Sequence, residues 1–257
     1  MKLTLAYSPC PNDTFIFDAM IHHKVDTEGL EFEVQLSDVE ALNVMAFDCK
    51  VDVTKLSYSA FLHLHKKYAL LSSGSALGEK CGPILIAKQD MIKSFNAQSL
   101  VAIPGKYTTA NSLFSLAFPN NSNTKEMLFS EIEDAVLKGD VDAGVIIHEN
   151  RFTFQEKGLE KFMDLGEYWQ EQTQLPIPLG GIVVSKSLDS SVQKKIQRVL
   201  RRSIEFAFSF PKESYYYVKQ HAQEMDIDVI NSHIQLYVNE YSLDLGEKGR
   251  DAVFYLF

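Results

Sequence analysis

Seven short apolar runs recur along the chain: LTLAY (3–7), LEFEVQL (30–36), VDVTKL (51–56), YALLSS (68–73), GPILIAK (82–88), LVAIPG (100–105) and VDAGVII (141–147). Amphipathic stretches of helical period separate most of them. Strands that alternate with helices predict an α/β fold with largely parallel sheets, because a parallel pair needs a crossover long enough to hold a helix. After GGIVVSK (180–186) the strand pattern stops, and helices are expected over 189–209, 212–223, 227–239 and 246–256. A helical tail of this kind is expected to pack back on the first sheet. GPILIAK and GGIVVSK share a glycine, an apolar centre and a final lysine. They are expected to act as paired crossings between a discontinuous large lobe, 1–87 with 184–257, and a small lobe, 88–183, with a ligand cleft between the lobes.

At 257 residues, with 46% hydrophobic and 11% aromatic residues, the chain has enough apolar surface for one large core or two smaller ones. Its net charge of −9 gives no general positive field, so nucleic acid and anionic membrane surfaces are not expected partners, whereas a small anionic ligand can still be held locally. The opening MKLTLAYSPCP has too short an apolar stretch for a secretion signal, and no apolar run reaches the length of a membrane span. Cys10, Cys49 and Cys81 are odd in number and lack a CxxC spacing. A cytoplasmic protein with reduced thiols is expected.

In parallel sheets, ligands sit beyond the carboxyl ends of the strands, where helix N-termini present unpaired N–H groups. Three such turns and one strand end stand out. In SPCPNDTFIFDAM (8–20), Pro9 and Pro11 stiffen the turn and Asn12 or Asp13 is expected to cap the helix. In VTKLSYSAFLHLH (53–65), Lys55 supplies a cation and Ser57 is expected to cap the next helix. In VAIPGKYTTANSLFSLAF (101–118), the hydroxyls and amides of Thr108 and Thr109 suit a carboxylate, with a plain helix cap as the alternative. In DAGVIIHENRFT (142–153), an apolar strand ends at His148, which reads either as a general base or as a polar residue at a strand end.

Other candidates are weaker. His63 and His65 lie two apart on a helix and do not share a face, and His22 and His23 fall at a helix end, so no metal is expected. Cys10 reads as part of a turn, and KKIQRVLRR (194–202) as the solvated face of a helix. With no Walker loop, dinucleotide fingerprint or HExxH, no cofactor is expected.

SPCPNDTFIFDAM, TKLSYSAF, SGSALGEKCGP, PGKYTTA, AGVIIHENRFT and LPIPLGGIVV occur in that order over nearly the whole chain. Together they resemble the 1,4-dihydroxy-6-naphthoate synthase family of the futalosine route to menaquinone. The resemblance implies a type II periplasmic-binding-protein-like fold with two hinge strands. It also implies a cofactor-independent lyase that converts cyclic dehypoxanthine futalosine to 1,4-dihydroxy-6-naphthoate by carbon–carbon cleavage. It gives His148 the role of base, and Lys55, Leu56, Ser57, Thr108 and Thr109 that of substrate contacts. Asn12 and Arg151 join them as candidate substrate-binding residues from their motifs. The partner implied is a small-molecule carboxylate, and no oligomeric state follows. A non-catalytic solute-binding or ligand-sensing protein is the alternative, since one fold hosts many functions. A closer alternative is chorismate dehydratase of the same pathway, which is similar in fold but lacks the SPCPNDTF and HENRFT motifs.

Overall fold

The computed structural model describes residues 1–222 and 226–256, so the last residue of the helix expected over 212–223 lies outside the described residues. The chain forms two compact units, Met1–Gly78 with Pro178–Phe257, and Glu79–Ile177. The crossings therefore fall earlier in the chain than the boundaries expected after 87 and 183. Hydrogen bonding explains the position: the GPILIAK strand is paired along both edges within the second unit, while GGIVVSK is paired within the first.

The first unit opens with β1 (Lys2–Tyr7), α1 (Pro11–Ile21), β2 (Glu31–Leu36), α2 (Val39–Phe47), β3 (Val53–Ser57), α3 (Tyr58–Leu64), β4 (Tyr68–Leu70) and β5 (Ala76–Gly78). The second contains β6 (Ile84–Ala87), α4 (Gln89–Ile92), β7 (Val101–Ile103), α5 (Thr109–Ala117), β8 (Thr124–Glu126), α6 (Ile132–Lys138), β9 (Ala143–Ile146), α7 (Asn150–Thr153), β10 (Glu160–Asp164) and α8 (Leu165–Thr173). The first unit resumes along β11 (Ile177–Ser185) and closes with α9 (Ser190–Ser209), α10 (Tyr215–His221), α11 (Ile227–Tyr237), α12 (Glu240–Leu243) and α13 (Gly246–Leu256).

Both sheets are mixed, which corrects the expectation of largely parallel ones. In the first unit the order is β2-β1-β3-β11-β4, with β5 also on β11; β1 runs parallel to β2 and β3, and β11 antiparallel to β3 and β4. In the second it is β10-β6-β9-β7-β8, where β7 is parallel to β8 and β9, and β6 is antiparallel to β9 and β10. The parallel pairs come from strand–helix–strand crossovers. The antiparallel strands lie next to the crossings, where the chain enters or leaves a unit. β8 and β10 carry no apolar run: TKE is fully exposed, EKFMD goes from exposed Glu160 and Lys161 to buried Asp164, and neither was expected from the sequence.

The helical tail packs on the first sheet as expected. Ile196, Val199, Leu200 and Ile204 of α9 recur at helical spacing and join Leu3, Leu5, Tyr7, Phe15 and Phe17 in one core. Ser203, in the same stripe, donates to Ile16 O at 2.6 Å and accepts from Met20 N at 3.1 Å, fixing α9 against α1. The second unit has its own core, including Ile84, Ile86, Ala102, Ile132, Val136 and Ile146.

The basic face of α9 is not simply solvated. Arg198 Nε donates to Glu28 Oε1 at 3.0 Å and Arg202 Nη2 to the same oxygen at 3.2 Å, tying the α1–β2 turn to the tail. Hydrogen bonding by Arg198 is the largest effect and pulls the Glu28 carboxyl down from 4.5 to about 2; burial opposes it, and the Arg202 hydrogen bond adds to the lowering. A carboxyl depressed in the folded state stabilises it above the unfolded value and loses that contribution as pH falls through the folded one. Glu28→Gln should therefore melt below the wild type at neutral pH, and the two melting temperatures should converge between about pH 4.5 and 2. Thermal melts followed by circular dichroism across that range check this.

Candidate functional site

In the first unit, the parallel strands β1 and β3 deliver the SPCPNDTF and TKLSYSAF turns to one edge of the sheet. Helix α1 begins at Pro11, with Cys10 in extended conformation at the N-cap and making no side-chain cap bond. Asn12 and Asp13 lie inside the first turn, a correction to their expected role as caps. Proline at the first helical position explains the shift, because its fixed φ suits that position and its missing N–H would be unpaired there anyway. Asp13 reaches back instead, and its Oδ2 accepts from Ser8 Oγ at 2.8 Å.

The other Asp13 oxygen accepts from Lys55 Nζ at 2.7 Å and from Asn12 Nδ2 at 2.8 Å, and Asn12 Oδ1 accepts from His233 Nε2 of α11 at 2.9 Å. Lys55, expected to supply a cation, is half of a buried ion pair whose side chains are only 9% and 2% exposed. Ser57 occupies the N-cap of α3, but its hydroxyl makes no cap bond and accepts from Asn43 Nδ2 at 3.2 Å, while Asn43 Oδ1 accepts from Ser57 N at 3.0 Å. Strand alternation puts Lys55 and Ser57 on one face of β3 and turns the fully buried Leu56 to the other. Leu56 therefore offers the edge its backbone. Gly180 makes that approach close: a Cβ there would meet Leu56 O at 2.6 Å. Ser8, Asp13 and His233 complete the network around Lys55 and Asn12, while Asn43 pairs with Ser57; of these four residues the sequence exposed only Asp13, as a candidate cap.

In the second unit, the parallel neighbours β7 and β9 bring the PGKYTTA turn and the IHENRFT turn to a shared edge. Thr108 caps α5: its Oγ1 accepts from Asn111 N at 3.2 Å and donates to Gly105 O at 2.8 Å. The plain-cap reading therefore describes the Thr108 hydroxyl. Thr109, the first residue of α5, is buried at the end where helix N–H groups lack intrahelical partners. His148 follows β9 with a left-handed backbone, φ 59°, and its ring stands edge-on to Phe129 with centroids 4.9 Å apart. Arg151 donates to Gly82 O at 2.5 Å and lies 3.5 Å from Asp164. Asp164 in turn caps α8 by accepting from Gly166 N at 2.8 Å. Arg151 thus ties three turns of this edge together. Cys81, beside Gly82, is pushed up to about 12 by burial, which outweighs the opposing charge of Arg151 and keeps it a thiol.

A family model described as Menaquinone biosynthesis matches residues 3–257. The 1,4-dihydroxy-6-naphthoate synthase of Thermus thermophilus is 41% identical over 255 residues, 99% of this chain and 92% of that protein. The chain belongs to the menaquinone biosynthesis family. Another relative, the 1,4-dihydroxy-6-naphthoate synthase of Streptomyces coelicolor, is 42% identical over 256 residues, 98% of this chain and 90% of that protein. A crystal structure from Archaeoglobus fulgidus superposes with a TM-score of 0.92 at 37% identity, over 99% of this chain and 95% of that one. The alkanesulfonate-binding protein of Xanthomonas axonopodis pv. citri, at 11% identity and a TM-score of 0.69 over 92% of this chain and 84% of that one, shares the fold. The family's fold is thus the two-domain, periplasmic-binding-protein-like one expected from the sequence. Among the described residues no helix is long and apolar enough to cross a membrane.

The buried Asp13–Lys55 pair makes a stability prediction. Asp13→Asn strands a buried ammonium and should cost about 3 kcal/mol or more, whereas Asp13→Asn with Lys55→Met removes both charges and should recover much of the loss. Urea unfolding of the two variants measures it; equal losses would mean that the charge pairing is immaterial.

Proposed function

We propose that the protein converts cyclic dehypoxanthine futalosine to 1,4-dihydroxy-6-naphthoate in menaquinone biosynthesis, as a lyase that starts carbon–carbon cleavage with a base. The observation that carries this is 41–42% identity, over nearly the full chain, to two relatives that bear the name of that activity. Two fold neighbours among solute-binding proteins, at 12% and 11% identity, speak for architecture alone.

His148 is the base in this reading. Neutral imidazole accepts a proton near neutral pH, and the left-handed turn lifts it out of the β9 ladder at a strand's carboxyl end. The bond that breaks joins the ring system to the sugar-derived fragment, its electrons stay within the products, and aromatisation of the naphthoate favours cleavage. Balance requires no oxidant or reductant, in keeping with a reaction that uses no cofactor. Thr108 and Thr109 hold the substrate carboxylate. Thr108 contributes chiefly by shaping the turn, and Thr109 by its hydroxyl and the N–H groups of the first helical turn. Lys55, Ser57 and Asn12 offer polar contacts, Leu56 its backbone, and Arg151 holds the His148 turn in place for binding. A cytoplasmic location fits the biosynthetic character of the relatives.

Incubating purified protein with cyclic dehypoxanthine futalosine, without additives, should give dihydroxynaphthoate detectable by mass; no product would sink the assignment. His148→Asn keeps a hydrogen-bonding side chain but cannot take the proton, so kcat should fall about a hundredfold or more while substrate still binds. Near-normal turnover would reduce His148 to a contact. Thr109→Val should raise KM by about fivefold to a hundredfold, equivalent to roughly 1 to 3 kcal/mol. Thr108→Val should lower the melting temperature as well, through the lost cap.

A further inference from the structure

A histidine with φ 59° sits where an L-residue is disfavoured, and such a conformation persists only where its surroundings fix it. On one side of His148 the β9 ladder does so: Ile146 pairs with Ile84 of β6. On the other side the anchor comes from α6 and the turn before it. Glu133 of α6 is 1% exposed, and its Oε2 accepts from Asn150 Nδ2 at 2.5 Å and from Lys157 Nζ at 2.6 Å. Both bonds fall on one oxygen, while the buried Oε1 has no hydrogen-bond partner among the described residues. Four residues before Glu133, Phe129 sets its ring against the His148 imidazole.

We propose that the segment from Phe129 to Glu133 is a two-point clamp that positions the His148 imidazole, Phe129 through the ring and Glu133 through Asn150 and the backbone of the turn. The proposal rests on the reading of His148 as base. Glu133 is a positioning residue: its hydrogen bonds go to the segment just after His148, at Asn150 and Lys157. A buried carboxylate suits this role better than an apolar contact, because two short charge-assisted or amide bonds fix direction as well as distance. Its half-exposed Lys157 partner places an opposite charge against the same carboxylate oxygen.

The test uses three variants of the full chain. Asn150→Ala cuts the tether and leaves the Glu133–Lys157 pair in place, so it serves even if Glu133→Ala fails to fold. Glu133→Gln removes the charge but keeps an oxygen that can accept from Asn150. Among the chain's seven histidines, His148 is assigned in long-range ¹H–¹⁵N spectra by the cross-peaks missing from His148→Asn. Asn150→Ala and Glu133→Ala should shift the His148 cross-peaks and lower kcat about tenfold with KM within about twofold, and Glu133→Gln should restore both signals and turnover. Unmoved cross-peaks in Asn150→Ala, or a Glu133→Gln as impaired as the alanine variant, would overturn the clamp. An active His148→Asn would remove the base role alone, since the cross-peaks would still report on positioning.

Discussion

Parallel pairing of β1 with β3 and of β7 with β9 is the constraint on which the rest depends. Two parallel neighbours end at the same edge, so the turns that leave them are brought side by side. In the first unit this sets Ser8 to Asp13 next to Lys55 and Ser57; in the second it sets the Thr108 turn beside the His148 turn. Each helix leaving such a turn starts at that edge with amides its own ladder does not use. The antiparallel strands then finish each edge, β11 through the close approach of Gly180 to Leu56, and β6 and β10 through Gly82 and Asp164, which hold Arg151.

The two edges are built by different chemistry. The first is a closed electrostatic network in which Asp13 gathers Lys55, Asn12 and Ser8, so that Lys55 presents a charge already balanced by a neighbour. Burial makes that balance obligatory, since an unpaired ammonium in the interior is far more costly than the pair. The second edge is held mainly through backbone geometry: a capped helix at Thr108, a left-handed residue at His148, and side chains from α6 and α7 that bind around it. A base that must meet a reacting atom at a set distance gains from such rigidity.

Strand and helix positions, the helical tail and the turns bearing the candidate residues were legible in the sequence, because apolar periodicity and turn chemistry are local properties of the chain. LTLAY, LVAIPG and VDAGVII became β1, β7 and β9, and TTANSLFSLA opened its helix at the Thr108 cap as its spacing suggested. The six ordered segments also carried the family. What tertiary structure alone decided is pairing over long separations. His233 lies 221 residues from Asn12, Asp13 is 42 from Lys55, and Glu133 is 17 from Asn150; none of these spacings has a local signature. Strands β8 and β10 escaped for the same reason, since TKE and EKFMD are strands by virtue of the neighbour they pair with and not by their own apolar pattern. The sequence thus determined which residues stand at the strand ends, whereas the partner each one meets there, and hence whether Lys55 is a free cation or half of an ion pair, was decided by how the strands and helices packed.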